Sequence, residues 1–104
     1  MTQLLAASIM FDDFEWDPVK ARTNLAKHKV SFEQATAVFA DPFASVEFDD
    51  SEAYGEDRYV MTGAVRTVIL TVVYTERSEK YRIISAREAT NYERRDYFRA
   101  AQQD

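Results

Sequence analysis

The chain has 104 residues and no cysteine, which excludes disulfides, thiolate metal sites and cysteine nucleophiles. Hydrophobic residues make up 46% of it, with only two glycines and two prolines, so a disordered or low-complexity chain is excluded as well. The net charge of −5, from 13 basic and 18 acidic residues, argues by itself against a nucleic-acid-binding surface. We expect one small domain with a packed core.

The start of the chain precedes the predicted domain. It has a short apolar run, but no lysine or arginine stands before Lys20, so the positive end of a secretory signal is missing. No stretch has the roughly 18 to 20 apolar residues that span a bilayer. We expect a flexible extension over residues 1–9, a single domain over 10–104, and a cytoplasmic protein without membrane contact. The absence of cysteine is compatible with that reducing compartment.

Two helices are predicted at the start of the domain. Asp17 can accept hydrogen bonds from the free N–H groups of a first helical turn, and Pro18 needs no donor there. A helix should therefore begin at this pair and continue to about His28. The second helix begins with a capping box over 31–34 and has apolar residues at the spacing i, i+3, i+4 and i+7 from Phe32. It ends at the Asp-Pro pair that follows.

Strand patterning follows the second helix. Four segments alternate apolar and polar residues or are rich in β-branched and aromatic residues: 45–49, 58–62, 65–75 and 80–86. From Arg87 to about Gln102 the chain has no glycine or proline, which favours a final helix. We predict an α+β domain with two N-terminal helices, an antiparallel sheet of three to four strands and a C-terminal helix. The helices should pack on one face of the sheet and leave the other face free to form a site.

The charge is divided unevenly along the chain. Residues 1–57 hold four basic and twelve acidic residues, a net charge of −8. Residues 58–104 hold nine basic residues, eight of them arginine, and six acidic residues, a net charge of +3. One domain can therefore be acidic as a whole and still carry a local basic face.

Several kinds of site lack the residues they need. The two glycines, Gly55 and Gly63, are too few for a glycine-rich phosphate loop, and one histidine without cysteine does not make an ordinary zinc site. The acidic residues between Asp49 and Asp57 lack the spacing and central glycine of a calcium loop, so a solvated acidic loop is expected there. We predict neither a metal nor a cofactor.

Arginines occupy the predicted strands and the turn between them: Arg58, Arg77, Arg82 and Arg87. Neighbouring strands lie about 4.8 Å apart, so these side chains can converge on one anion, and a guanidinium matches phosphate oxygens with two donors at once. Tyr74 and Tyr81 in the same stretch could stack unpaired RNA bases. The alternative is that the arginines pair with nearby glutamates on a solvated surface, and spacing alone leaves both interpretations open.

Short motifs follow one another in a fixed order between residue 11 and about residue 98. They are FEWDP at 14–18, N-L-x-K-H at 24–28, E-x-R at 56–58, VVYT-x-R at 72–77 and RIISAR-x-AT at 82–90. Together they resemble the BrnT family, the toxins of a bacterial type II toxin–antitoxin system. One departure follows the histidine, where the family usually has glycine and this chain has Lys29.

The resemblance implies a RelE-like ribonuclease fold and a hydrolase that cleaves RNA without a metal and inhibits translation. It also implies a partner, a ribbon-helix-helix antitoxin that covers the toxin. The complex would bind DNA at its own operon, and only through the antitoxin. Carried over to this sequence, the implied catalytic residues are Arg58, Arg82, Arg87, Tyr74 and His28. The implied RNA-binding residues are Lys27 and Arg77, to which the stacking argument adds Tyr81.

The mechanism expected of a metal-free ribonuclease uses the ribose 2′-OH as nucleophile against the neighbouring phosphate. Arginines suit stabilisation of the anionic phosphorane but are too basic to accept the proton. The candidates for proton transfer are His28, Glu56 and Tyr74. We favour His28, for which the alternative is a capping or packing role at the end of the first helix. Two other functions stay open: a non-catalytic co-repressor acting with the antitoxin, and a domain that binds another anion.

Overall fold

The computed structural model describes residues 13–49 and 55–102, so the extension predicted over 1–9 and part of the predicted acidic loop lie outside the described residues. Within these ranges the helices are α1 (Pro18–His28), α2 (Phe32–Thr36) and α3 (Asn91–Gln102). A 3₁₀ helix over Ala37–Ala40 directly follows α2. The strands are β1 (Phe14–Glu15), β2 (Ser45–Asp49), β3 (Arg58–Val65), β4 (Val68–Arg77) and β5 (Lys80–Glu88).

The described strands form one mixed sheet in the order β1-β5-β4-β3-β2. Strands β2 to β5 are antiparallel to one another, whereas β1 pairs with β5 in parallel. The α+β class is confirmed, but the prediction of three to four strands in a purely antiparallel sheet was wrong. A strand of two residues is too short to show an alternating pattern. Within the described residues β1 precedes α1, so a strand comes before the two predicted N-terminal helices. That this fold is RelE-like stays a prediction.

Helix α1 is fixed at its start and in its middle. The Asp17 side chain accepts a hydrogen bond from the N–H of Val19 at 2.8 Å, which confirms the predicted cap. Buried Asn24 donates to the carbonyl oxygens of Ala86 (2.7 Å) and Val30 (3.0 Å) and accepts from the N–H of Ala86 (3.1 Å). The Asn24 amide therefore takes the place of a neighbouring strand at the outer edge of β5.

Helix α2 begins with the predicted capping box, in which Ser31 and Gln34 exchange two hydrogen bonds of 2.9 Å. The α-helical geometry ends earlier than predicted, at Thr36. The Thr36 hydroxyl donates to the carbonyl of Glu33 at 2.7 Å, and such a local bond competes with the helical ladder. The chain continues as the tighter 3₁₀ helix, which holds Val38 in the core.

Lys29 ends α1 in a left-handed conformation, with a φ of 62° and its N–H bonded to the carbonyl of Leu25. The turn is kept without the glycine of the motif, at a cost because a Cβ atom is crowded in this conformation. We expect Lys29→Gly to raise the free energy of unfolding in urea by about 1 kcal/mol. The control is Lys27→Gly in the last turn of α1, which should lower it by about 1 kcal/mol. If Lys29→Gly and Lys27→Gly lower the free energy of unfolding equally, this account of Lys29 is contradicted.

The main core lies between the sheet and helices α1 and α2. Its most deeply buried side chains are Phe32, Ala35, Val38, Val72 and Ala86. Gly63 on β3 permits close packing of this layer, because a Cβ atom there would lie 2.9 Å from Val38 and 3.0 Å from Ala44. Side chains that alternate with these core residues along β3, β4 and β5 point to the opposite face of the sheet.

Helix α3 contacts that opposite face, so the prediction of all helices on one face was wrong. Glu93 of α3 accepts a hydrogen bond from Thr71, which alternates along β4 with the core residue Val72. The hydroxyl of buried Tyr97 donates to Asp41 at 2.6 Å, and the same Asp41 oxygen accepts from a backbone N–H of β3 at 2.8 Å. These contacts join α3 to the sheet at one end of the face, and no other described helix covers the other end.

A β-bulge interrupts the pairing of β4 and β5. The successive residues Val73 and Tyr74 of β4 pair with Ser85 and Ile83, which leaves Ile84 as an extra residue without a partner in β4. The alternation of side chains along β5 is therefore shifted by one residue after the bulge.

Candidate functional site

Three arginines lie on the sheet face opposite α1 and α2: Arg58 on β3, and Arg82 and Arg87 on β5. Arg82 pairs with Thr75 and Arg87 pairs with Thr71, and both threonines alternate with core residues along β4. Arg82 and Arg87 are five residues apart, so an unbroken strand would place them on opposite faces. The bulge at Ile84 brings them to the same face, which we call the arginine face.

Two of these arginines flank one threonine. The β3–β4 register, continued by one residue, places Arg58 beside Thr75, and the β4–β5 register places Arg82 on its other side. The Cα atoms of Arg58 and Arg82 are therefore two strand spacings apart, about 10 Å. Arg87 pairs with Thr71, which is four positions from Thr75 along β4, so Arg87 lies about 13 Å from Arg82. The arginine face thus has a close pair, Arg58 and Arg82, at one end and Arg87 at the other.

Each of the three arginines is paired with a glutamate from a different segment. The pairs are Arg58 with Glu56, Arg82 with Glu15 and Arg87 with Glu93, at nitrogen–oxygen distances of 3.2, 2.9 and 2.8 Å. Between 17% and 38% of each arginine side chain is exposed. The predicted alternative, pairing with glutamates, is therefore realised in part, but the guanidinium groups are held in place and still reach solvent.

Arg77 lies at the end of β4 and is linked to the close pair through Glu56. Its guanidinium is 3.8 Å from one oxygen of Glu56, while the other oxygen of Glu56 contacts Arg58. More than half of the Arg77 side chain is exposed. An exposed arginine in this place can contact a phosphate of a bound strand, but it is not fixed toward one position.

Glu93 is held both by the sheet and by its own helix. Its Oε1 accepts from Arg87 Nη1 (2.8 Å), the Thr71 hydroxyl (3.0 Å) and the Thr90 N–H (2.8 Å), and its Oε2 accepts from Arg87 Nη2 (3.0 Å). The bond from Arg87 is the main cause that lowers the pKa of Glu93 to about 2, against the opposing effect of partial burial. Glu93 in turn raises the pKa of Arg87, so both groups are ionised at neutral pH.

The lowered pKa of Glu93 links stability to pH. Because this pKa lies below the roughly 4.3 of an unfolded glutamate, its stabilising effect is complete above that value and is lost as the pH falls through about 2. We expect Glu93→Gln to be less stable than the wild type at pH 7, with a difference that shrinks over this acidic range. Thermal unfolding of both proteins at a series of pH values measures the difference. A difference that does not change with pH would show that the charge of Glu93 contributes nothing.

Tyr74 and Tyr81 lie on the core face and not on the arginine face. Their rings pack in an aromatic cluster with Phe14, Phe39 and Tyr59, with centroids 4.9 to 5.7 Å apart. Burial, with smaller effects from a nearby carboxylate and the neighbouring tyrosines, raises the pKa of Tyr74 to about 12. The structure therefore does not bring these two residues together with the arginines, and Tyr74 is protonated at neutral pH.

His28 lies toward the end of β5 that carries Arg87. Strand β1 runs beside Arg82 and Asn24 bonds β5 further along, so α1 follows the same direction as β5. His28 comes one turn after Asn24 and shares its side of the helix. It is half-buried, whereas Lys27 is exposed. The structure thus places the histidine toward the Arg87 end of β5, on α1 at the outer edge of the sheet, and does not bring it onto the arginine face.

Residues 16–93, three quarters of the chain, match a family model described as the ribonuclease toxin, BrnT, of a type II toxin–antitoxin system. The chain belongs to the BrnT family. This membership implies an RNA substrate and an antitoxin partner. No curated protein matches the chain in a sequence search.

Two glutamates of this BrnT-family site were missed in the sequence. Glu93 could have been found, because Thr90 and Glu93 have the spacing of a capping box just before α3, and the structure shows both of its hydrogen bonds. Glu15 has no comparable signal, since its contact with Arg82 depends on the parallel pairing of a two-residue strand.

Metal-ligand clusters and membrane-spanning helices are both absent from the described part of this BrnT-family chain. No group of three or more His, Asp or Glu side chains within residues 13–49 and 55–102 could hold a metal ion. No helix in the same ranges is long and apolar enough to cross a membrane. The groups that the arginine face offers to a ligand are guanidinium groups, carboxylates and hydroxyls.

Proposed function

We propose that this chain is a metal-independent endoribonuclease whose arginine face binds and cleaves RNA. The observation that carries the proposal is the placement of Arg58, Arg82 and Arg87 on one face, across three strands and a bulge. Donors held toward a phosphate stabilise the charge that develops there, and such preorganised groups are often the largest catalytic contribution. Membership of a family of ribonuclease toxins supports the same function.

In the proposed reaction the ribose 2′-oxygen attacks the adjacent phosphorus, and the bond from phosphorus to the 5′-oxygen of the next nucleotide breaks. A base takes the proton of the 2′-OH and an acid gives a proton to the departing 5′-oxygen, so the products are a 2′,3′-cyclic phosphate and a 5′-hydroxyl. In this proposal the cleaved phosphate lies at Arg87, because His28 lies toward that end of β5. Since α1 packs on the other face, the RNA strand must pass the outer edge of β5, where Asn24 joins α1 to the sheet, to meet both groups. Arg58 and Arg82 then bind a phosphate further along the strand.

His28 is the proposed proton-transfer group, since histidine is the side chain that most often transfers protons in enzymes. The burial of Tyr74 and its pKa of about 12 argue against a role as base for that residue. Glu56 is the alternative base. It lies beside the close pair, so it would place the cleaved phosphate between Arg58 and Arg82 instead.

We also propose the cellular role that the BrnT family implies. RNA cleavage in the cytoplasm inhibits translation, and a ribbon-helix-helix antitoxin neutralises the toxin by covering it. The complex reaches DNA only through the antitoxin, which agrees with the net charge of −5 on this chain. Because the basic face is local and the protein as a whole is acidic, we expect its affinity for RNA to be low and to fall strongly as the salt concentration rises.

A second candidate function is a non-catalytic partner that acts with the antitoxin as a co-repressor. The observation in its favour is the pairing of all three arginines with glutamates, which offsets part of the positive charge of the arginine face.

The experiment that separates these functions is incubation of the purified, antitoxin-free chain with an end-labelled RNA of mixed sequence, with and without EDTA. We expect cleavage in both, products that end in a cyclic phosphate, and no cleavage of the all-deoxy strand, which lacks the 2′-OH. Loss of cleavage in EDTA would contradict metal independence. Intact RNA in every condition would favour the co-repressor.

A further inference from the structure

Arg87 has two donor edges, and Glu93 occupies one of them. Arg87 Nη1 and Nη2 donate to the two oxygens of Glu93, and Nη1 also donates to the carbonyl of Glu88 at 3.2 Å. A guanidinium has five N–H groups in one rigid plane. Among the described residues, these three bonds leave the adjacent edge, formed by Nε–H and the second N–H of Nη2. Two parallel donors of this kind match the oxygens of a phosphate.

The carboxylate of Glu93 is itself anchored by two further donors. The hydroxyl of Thr71, which is buried on β4 and paired with Arg87, fixes it to the sheet. The N–H of Thr90 fixes it to the start of α3, where the Thr90 hydroxyl accepts from the N–H of Glu93 at 3.1 Å. Glu93 therefore cannot turn to another partner without breaking both a sheet contact and a helix cap.

The contact of Arg82 with Glu15 is different. Arg82 donates to Glu15 through a single nitrogen, Nη1, at 2.9 Å. One hydrogen bond restrains the plane of a guanidinium less than a bidentate pair does. Of these two arginines of β5, Arg87 is therefore the one whose orientation is set by its carboxylate.

We infer that Glu93 is a positioning residue, which fixes Arg87 through its Nη1–Nη2 edge and thereby presents the Nε–Nη2 edge to a phosphate on the arginine face. The inference rests on the proposed function for the identity of this phosphate as one of RNA. Glu93 does not touch the substrate in this arrangement. Because the same carboxylate caps α3, the docking of α3 and the orientation of Arg87 are coupled.

Nitrogen-15 NMR of the Arg87 Nε–Hε group tests the inference without cleavage. The signal, assigned by its loss in Arg87→Lys, should be sharp in the wild type and should shift on addition of 2′-O-methyl RNA, which binds but cannot be cleaved. In Glu93→Gln the signal should broaden and its response to this RNA should be lost. Glutamine keeps an oxygen for Thr71 and Thr90, so α3 stays capped, which circular dichroism checks. An unchanged Arg87 signal in Glu93→Gln would overturn the inference.

Cleavage kinetics supply a second readout. We expect Glu93→Gln to lower kcat by up to about 100-fold with a smaller change in KM, because a displaced donor weakens the transition state most. The double variant Arg87→Ala, Glu93→Gln should be no slower than Arg87→Ala alone, since Glu93 acts through Arg87. The matched control is Asp96→Asn on the same helix, whose exposed pair with Arg99 at 3.8 Å should leave kcat within about twofold. If the reductions in kcat from the two single variants add in the double variant, Glu93 has a structural role separate from Arg87, and the inference is overturned.

The two experiments separate failure of the inference from failure of the proposed function. If the wild type leaves RNA intact but its Arg87 signal responds to 2′-O-methyl RNA and that of Glu93→Gln does not, the ribonuclease proposal fails and the positioning role stands. If the wild type cleaves RNA and Glu93→Gln equals it in both assays, the positioning role fails and the ribonuclease proposal stands. An Arg87 signal that ignores this RNA in the wild type also overturns the inference.

Discussion

Replacement of Arg87 by alanine is expected to lower the rate constant of RNA cleavage about 100- to 1,000-fold, the usual cost of removing one preorganised donor from a developing negative charge. KM should change far less, because a contact made mainly in the transition state contributes little to ground-state binding. Single-turnover cleavage of end-labelled RNA measures the rate constant. Arg99→Ala removes an exposed arginine of α3 and controls for the loss of one positive charge.

Variants at the two ends of the arginine face show where the cleaved phosphate lies. With the phosphate at Arg87, Arg58→Ala and Arg82→Ala should mainly raise KM, and His28→Gln should lower the rate constant by roughly 10² to 10⁴. If instead the close-pair variants and Glu56→Gln lower the rate constant, while Arg87→Ala and His28→Gln mainly raise KM, the cleaved phosphate lies at the close pair. Retention of full activity by all of these variants would remove the arginine face from the mechanism.

Asn24→Leu is expected to lower the free energy of unfolding by about 3 to 5 kcal/mol. Leucine leaves the N–H and C=O of Ala86 and the C=O of Val30 without partners, and each orphaned buried group costs about 1 to 3 kcal/mol. Such a loss is a large part of the total stability of a small domain. Urea unfolding followed by tryptophan fluorescence measures it, since Trp16 packs against Phe32 with ring centroids 5.8 Å apart.

The control for Asn24 is Thr23→Ala, the exposed neighbour on α1, which should change stability by no more than about 0.5 kcal/mol. A destabilisation of Asn24→Leu below about 1 kcal/mol would mean that water replaces the amide at the edge of β5.

The elements that the sequence predicted are those with short-range signals. A cap at Asp17 and a capping box at Ser31 lie within a few residues of the helix starts that they define. Strand β4 shows its alternation over ten residues, and its length made it the clearest strand of the sheet. These signals depend only on neighbours in the chain, so they can be recognised in the sequence without knowledge of the tertiary structure.

The features that were missed, strand β1 and the sheet face covered by α3, depend on contacts between distant segments. Strand β1 exists because Phe14 and Glu15 meet β5, and two residues carry no pattern of their own. Helix α3 was predicted, but the sheet face that it covers is decided by the contacts of Tyr97 with Asp41 and of Glu93 with Thr71. Neither partner is marked by spacing in the sequence.

The candidate site was predictable only in part. The motifs named the arginines, but their placement on one face depends on a bulge for which the sequence gives no signal. The position of Tyr74 could have been inferred, because residues 70, 72 and 74 share one side of a strand and the first two are strongly apolar. Its interpretation as a site residue followed the motif and disregarded that alternation.

The extra residue in β5 also affects the shape of the arginine face. A bulge increases the local right-handed twist of a strand, so the surface between Arg82 and Arg87 is curved, and an RNA strand that contacts both must follow that curve. A chain without Ile84 would pair regularly and would still carry both arginines on one face, four residues apart. It would keep every charged group of the site and lose only the curvature. Comparing RNA binding by the two chains would therefore measure how much the shape of the arginine face contributes beyond its charge.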